Sequence, residues 1–152
     1  MDDWSSVLVF GKRPEVGACA IRPSAYGIIE DGQGRLAVVH TPQGTFLPGG
    51  GIDAGETPEE AIKREILEEC GLIVRLGLWT RRAVQFAYLV SARTHFEKRS
   101  LFIEGVVEGS GASGSEADHE LVWVEPATTV RILSHQSHCW AVEQWRSCDI
   151  RR

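Results

Sequence analysis

Residues 50 to 72, GGIDAGETPEEAIKREILEECGL, carry seven acidic and two basic side chains. Carboxylates at this density can keep a surface wet, move protons, or hold a hard cation. Their spacing separates these uses. At the helical 100° per residue, Glu65, Glu68 and Glu69 fill an arc of roughly 100°. Glu69 falls only about 20° around from Ile62, so the acidic group is displaced toward the buried edge. Glu65 and Glu69, one turn apart, repel each other. Like charges at a half-buried edge are costly unless a cation holds them. Hard carboxylate oxygens arranged this way suit Mg²⁺, with Mn²⁺ as the alternative. A solvated acidic face is the ordinary reading of a Glu-rich helix, and metal binding is the one that accounts for the offset.

The element that must position these acids is legible from local chemistry. Thr57-Pro58-Glu59-Glu60 is a capping box, with Thr57 at the N-cap, Pro58 in the first turn and Glu60 reaching back. Gly71 follows Cys70 as the residue that can take positive φ beyond the last turn. The spacing predicts a helix over 58–70, with Ile62, Ile66 and Cys70 as its apolar stripe. Arg64 stands four residues from both Glu60 and Glu68, within reach of either carboxylate.

Around this helix the chain predicts strands. AYGIIE (25–30) and RLAVVH (35–40) flank Asp31-Gly32-Gln33-Gly34, a hairpin pattern. TPQGTFLPGG reads as loop, because its prolines and glycines oppose a regular ladder. AVQFAYLVS (83–91) and SLFIEGVVE (100–108) read as two longer strands, joined by a polar turn through Arg93, His95, Lys98 and Arg99. EGSGASGSEAD (108–118) is a flexible loop, LVWVE (121–125) a further strand ended by Pro126, and HQSHCWAVEQWR (135–146) a closing helix. Strands and two helices without regular alternation predict an α+β fold, a mixed β-sheet with helices packed on its faces.

Composition narrows the class. A chain of 152 residues, 43% hydrophobic and 24% charged, predicts one domain over 1–152 with a core of its own. The net charge of −5 argues against a duplex nucleic acid partner, but not against a small anionic substrate held through cations. Cys19, Cys70, Cys139 and Cys148 form no C-x-x-C pair and predict reduced thiols in a reducing compartment. The acidic N-terminus with its brief apolar run predicts neither a signal peptide nor a membrane span, and so a cytoplasmic protein. His135, His138 and Cys139 share one face of the last helix, where packing is favoured over zinc ligation for want of a fourth ligand.

The stretch 50–72 resembles the signature of the Nudix hydrolases, G-x5-E-x7-R-E-U-x-E-E-x-G-U, with U a bulky aliphatic residue. Gly50, Glu56, Arg64, Glu65, Ile66, Glu68, Glu69, Gly71 and Leu72 match every specified position. FLPGGGID, the preceding hairpin and the later LVWVE strand fall in the family's usual order. The resemblance implies an α/β/α sandwich with the box as a loop–helix–loop, and hydrolysis of a diphosphate linkage in a nucleoside diphosphate joined to a further group. It implies that Glu65, Glu68 and Glu69 bind the metal, helped by the backbone carbonyl of Gly49 or Gly50, while Glu56, Arg64, Gly50 and Gly71 shape the box. In such enzymes the general base comes from the helix or from a later loop. Glu65 is the helix candidate, and Glu116 and Glu120, with Asp118 between them, are the loop candidates.

Substrate markers beyond the box are sparse. No S-Q-P-W-P-F-P run follows, and the proline of the ADP-ribose branch is replaced by Tyr88, a position where tyrosine marks the diadenosine-polyphosphate branch. Tyr88 is read as packing, or as a base-stacking group if it faces a cleft. Arg22 is the basic residue favoured for substrate, among Arg13, Arg81, Arg82, Arg93, Lys98 and Arg99, which could also clamp phosphates. The leading expectation is a nucleoside triphosphate pyrophosphohydrolase releasing NMP. A nucleotide-sugar or dinucleoside polyphosphate hydrolase, and a nucleotide-sensing domain without catalysis, are the alternatives. Self-association into a homodimer through tryptophan-rich surfaces is left open.

Overall fold

A computed structural model describes residues 3–111 and 117–148 of the chain. Eleven elements follow in order: β1 (Leu8–Phe10), β2 (Cys19–Glu30), β3 (Leu36–Thr41), β4 (Gly44–Phe46), β5 (Gly49–Gly51), α1 (Pro58–Cys70), β6 (Leu72–Leu89), β7 (Thr94–Ser110), β8 (Glu120–Val124), α2 (Pro126–Ile132) and α3 (Gln136–Arg146). The strands form one mixed sheet in the order β1-β6-β7-β2-β3-β4, with β5 on β2 and β8 on β3. Helices cover both faces, as the α+β expectation required.

Period-two alternation divides the core between those faces. Tyr26 and Ile28 of β2, Leu36 and Val38 of β3, and Phe102 of β7 pack with Ala141, Val142 and Trp145 of α3. Ala25 and Ile29, Ala37 and Ile103 point the other way, onto Ala61, Ile62 and Ile66 of α1. Coverage on both sides explains why 24–29 is a continuously buried run instead of an alternating one. Ile62 and Ile66 are fully buried, and each stabilises the fold by about 1.5–3 kcal/mol relative to exposure.

The helix carrying the acids begins and ends where its caps dictate. The Thr57 hydroxyl accepts from the Glu60 N–H at 3.1 Å, and Glu60 Oε1 accepts from the Thr57 N–H at 3.0 Å. Gly71 closes the helix in the left-handed region, at φ 67°. Glu60 is therefore spent on the cap and is not a partner of Arg64, which corrects one of the two pairings expected from spacing.

Other expectations are corrected in detail. The hairpin between β2 and β3 forms around Asp31, whose carboxylate accepts from the Gln33 and Arg35 N–H groups at 2.8 and 3.0 Å. The long partner of β2 is β7 instead, parallel from Cys19↔His95 to Glu30↔Val106. TPQGTFLPGG is not all loop, because three-residue strands fit between its breakers. His95, Lys98 and Arg99 lie within β7, and the turn sits at 90–93. Their polarity suggested a turn, but Arg99 is held in the strand by Glu97 at 2.8 Å and Lys98 faces a cleft. Pro126 does more than end β8, since it opens α2, a third helix that the sequence reading lacked. Glu116 lies outside the described residues.

The four cysteines are free thiols, and burial pushes Cys70 up to about 12. No helix among the described residues is long and apolar enough to cross a membrane.

His138 is a core residue, as the packing expectation had it. It is 1% exposed, its Nδ1 accepts the Leu47 N–H at 3.2 Å, and its ring meets Tyr26 at 4.3 Å. Burial holds His138 well below the ordinary imidazole value, and burial with the nearby Lys98 charge brings His135 down to about 4. Both rings are neutral in the folded state, so stability is complete above the unfolded value of 6.5. As pH falls from 6.5 toward 4, the unfolded chain takes up protons that the folded chain refuses, and stability drops by up to about 1.4 kcal/mol per pH unit for each site. The urea midpoint is expected to fall clearly between pH 7 and pH 5, a range above the carboxylate titrations. A flat midpoint over that range would contradict neutral burial of the two rings.

Candidate active site

The acids of α1 meet the loop–strand segment in front of them through specific bonds. Gly49 sits at φ 143°, a backbone region open to glycine, and a Cβ there would collide with the Ala25 carbonyl oxygen. That conformation aims the Gly49 N–H at Glu69 Oε1, 2.9 Å away. Glu69 is 7% exposed, which places it on the buried edge that the helical offset implied. At Gly50 the approach is equally close, since a Cβ would stand 3.0 Å from Glu65 Oε1. Glycine here leaves room beside the Glu65 carboxylate.

Arg64 ties the group together. Its Nε and Nη2 donate to the two oxygens of Glu56 at 2.7 and 3.0 Å, a forked pair. Nη1 reaches Glu65 Oε1 at 3.1 Å and Glu68 Oε2 at 3.3 Å, and Nη2 also donates to the Gly51 carbonyl at 3.2 Å. Glu56 further accepts the Asp53 N–H at 2.9 Å. Its bonds to Arg64 and then to Asp53 hold the Glu56 carboxyl below the usual carboxylate value, and the bond to Glu56 pushes Arg64 up. One guanidinium thus fixes the loop at Glu56 and Gly51 while orienting Glu65 and Glu68. Lysine could keep the charge but not the fork. Arg64→Lys is expected to lower kcat about tenfold, as lost outer partners of a metal site do. Turnover assays on a variant of unchanged circular dichroism check this, and full activity would mean that charge alone suffices.

The three glutamates share one neighbourhood without closing on one another. Among the described residues, no three carboxylate, histidine or cysteine side chains already converge as a cage. A divalent ion nevertheless fits the set. Mg²⁺ keeps several waters and takes only one or two carboxylates along with substrate oxygens, and the glycine opening beside Glu65 supplies space for it.

A cleft of about 600 Å³ opens beside Glu69 and Gly49–Gly51. Tyr26 forms part of its floor, where burial, reinforced by the negative charge of Glu69 and Glu65, pushes the phenol to about 12. Tyr88 lines the cleft, 52% exposed, with its ring 4.7 Å from that of His95. It is therefore no core residue, and it faces the cleft, which is the condition set for a base-stacking role. Arg22 lines the cleft too, its guanidinium 5.4 Å from the Phe96 ring. Glu120 is exposed at the start of β8, alternating away from Leu121, which packs under α1.

One cleft group escaped the sequence reading, and another was only one of several basic candidates for phosphate. His119 Nδ1 lies 3.6 Å from Glu69 Oε2, so the loop before β8 sends a histidine, not Glu120, against the acids. Lys98, one basic residue among many in the sequence, reaches the cleft from β7. Alternation along β8 could have placed His119 on the face of Leu121, but nothing local marked Lys98.

Comparisons with known proteins bear on the family and the fold. The sequence model of the NUDIX domain matches residues 20–141. A Haemophilus influenzae protein named 8-oxo-dGTP diphosphatase is 36% identical over 107 residues, covering 66% of this chain and 74% of that protein. A solved NUDIX hydrolase from Nitrosomonas europaea superposes with a TM-score of 0.64 at 18% identity, covering 83% of this chain and 88% of that one. A MutT protein from Methanosarcina mazei Go1 gives 0.58 at 17% identity, covering 88% and 100%. At such identities the two structures speak to the fold.

Proposed function

The chain belongs to the NUDIX domain family, and from that premise we propose a divalent-metal-dependent pyrophosphohydrolase that splits a nucleoside triphosphate into NMP and pyrophosphate. The observation carrying this reading is Glu69, a buried carboxylate pinned by the Gly49 N–H at the edge of a cleft that also presents aromatic rings and cations. The name of the Haemophilus influenzae relative supports a purine deoxynucleoside triphosphate, with an oxidised guanine as the first candidate to assay.

In this reading Glu68 and Glu69 would hold Mg²⁺, with help from Glu65 and the backbone near Gly49. A divalent ion held there would supply neutralisation of phosphate charge and a more acidic water. Glu65 accepts the proton of the attacking water, whose oxygen forms a bond to phosphorus as the bridging oxygen leaves with its electron pair. Arg64 keeps Glu65 and Glu68 in place. Glu120, exposed at the start of β8 and outside the cleft lining, takes no part in this reading, and His119 stands against Glu69 in its place. Tyr88 stacks on the base, and Arg22 meets the phosphates. Free thiols suit a reducing cytoplasm.

A dinucleoside polyphosphate hydrolase is the second reading, favoured by Tyr88 on the cleft wall. The deciding experiment is a product-release screen over nucleoside triphosphates, 8-oxo-dGTP, nucleotide sugars and dinucleoside polyphosphates with Mg²⁺ or Mn²⁺. NMP and pyrophosphate from a triphosphate, abolished by chelator, is the expected result. Turnover of none of these, or turnover indifferent to chelator, would remove the reading.

A further inference from the structure

Lys98 of β7 and Arg22 of β2 are Cα partners in the parallel ladder, and both side chains line the cleft. The Lys98 side chain is largely buried, and its Nζ donates to Tyr26 Oη at 3.4 Å. Glu69 lines the same cleft without pairing with it, and the charge that acts on Lys98 has the wrong sign for an ammonium. Arg22 beside it is a cation, and His135 is neutral. No carboxylate pairs with Lys98 among the described residues. Burial, with Arg22 adding, lowers Lys98 to about 8.

A charge taken from water without a counter-ion is expensive. Packing does not require it, since a Met of similar length would fill the same volume with no charge to desolvate. An ammonium kept at that position, doubled by a guanidinium and open to a cleft, is instead matched to an anion that arrives from outside. Phosphate is the anion a nucleotide brings.

We propose that Lys98 is a substrate-contacting residue whose ammonium, with Arg22 beside it, takes a phosphate oxygen of the substrate's polyphosphate chain. The assignment rests on the nucleotide reading above and deepens it by naming the group that reads the charge. Tyr26, kept neutral by its burial, supplies the hydroxyl that orients the ammonium.

The test is binding in EDTA, where metal-held phosphate contacts are absent and no turnover occurs. Calorimetry with dGTP, inorganic tripolyphosphate and deoxyguanosine compares the wild type with Lys98→Met and Lys98→Arg. The Met variant is expected to bind dGTP and tripolyphosphate about tenfold or more weakly, the loss of a charge-assisted bond. Deoxyguanosine affinity is expected to stay unchanged, and the Arg variant to keep most of the phosphate affinity. The thermal midpoint of Lys98→Met is expected to hold or rise, because a charge without a counter-ion has been removed.

Weaker dGTP binding with unchanged tripolyphosphate binding would move Lys98 to the base and overturn the assignment. Unchanged binding of both would do so as well, as would a wild type that binds neither. Lowered midpoints in both Lys98→Met and Lys98→Gln would mark the ammonium as part of the fold, with the same consequence. The nucleotide reading fails separately, through absence of Mg²⁺-supported hydrolysis. A wild type that hydrolyses triphosphate while Lys98→Met binds normally loses only the Lys98 assignment.

Discussion

Glu69→Gln is expected to lower kcat by about 100-fold while leaving the fold intact. The substitution is informative because the Gly49 N–H needs only an acceptor at Oε1, 2.9 Å away, and the amide oxygen of Gln provides one. What disappears is the negative charge at the edge of the cleft. If Glu69 holds a divalent ion, that loss removes part of the charge stabilisation on which the phosphoanhydride reaction depends. The required free magnesium should rise alongside the fall in kcat. Steady-state kinetics over a magnesium titration, with thermal melts as a control on folding, give the answer. Full turnover at ordinary magnesium would leave the buried carboxylate as a structural acceptor and take the metal assignment with it.

Gly49→Ala is expected to have the largest effect on stability. Two penalties coincide at this position. The backbone stands at φ 143°, where side chains are strained, and a Cβ would lie 2.7 Å from Tyr26 Cα as well as colliding with the Ala25 carbonyl. Both obstacles are backbone of β2, at the centre of the sheet, and cannot swing away as a side-chain tip would. A loss of more than about 3 kcal/mol is expected, roughly 10 °C in the melting midpoint. Gly32→Ala is the matched control, because a Cβ there meets nothing within 4 Å and its φ is ordinary. It should be neutral or slightly stabilising. Equal melting midpoints for the two variants would show that the β2–β5 contact yields easily. A Gly49→Ala protein that still folds should also lose turnover, since shifting the Gly49 N–H releases Glu69.

The helix that carries the acids was legible because its signals are local. A capping box, a proline in the first turn and a C-terminal glycine act within one turn of the chain, and they set the bounds Pro58–Cys70 without help from the rest of the protein. The offset of Glu69 toward the apolar stripe was legible for the same reason, and its 7% exposure follows from helical geometry once Ile62 and Ile66 are buried. The strands were legible as runs, and the two-sided burial of 24–29 was implicit in their lack of alternation.

The partners of those runs were a different matter. β2 pairs along its length with β7, joining Cys19 to His95 and Tyr26 to Phe102, and no local signal encodes a pairing over such separations. The short strands β4 and β5 exist because neighbours accept their backbone bonds, against the propensity of their glycines. Arg64 illustrates the boundary. Spacing allowed two carboxylates one turn away, but the cap took Glu60, and the loop brought Glu56 to the guanidinium instead.

By itself, then, the amino-acid order determined a capped acidic helix and the chemistry its carboxylates can perform. Only the tertiary structure decided what lines the cleft beside Glu69: Tyr26, Lys98, His119 and Tyr88 arrive from three strands and a loop, brought there by pairing and by burial of both sheet faces. Helix formation is governed by interactions within a turn, whereas a cleft is assembled by contacts between residues far apart in sequence, where hydrophobic burial sets the arrangement and the polar groups follow.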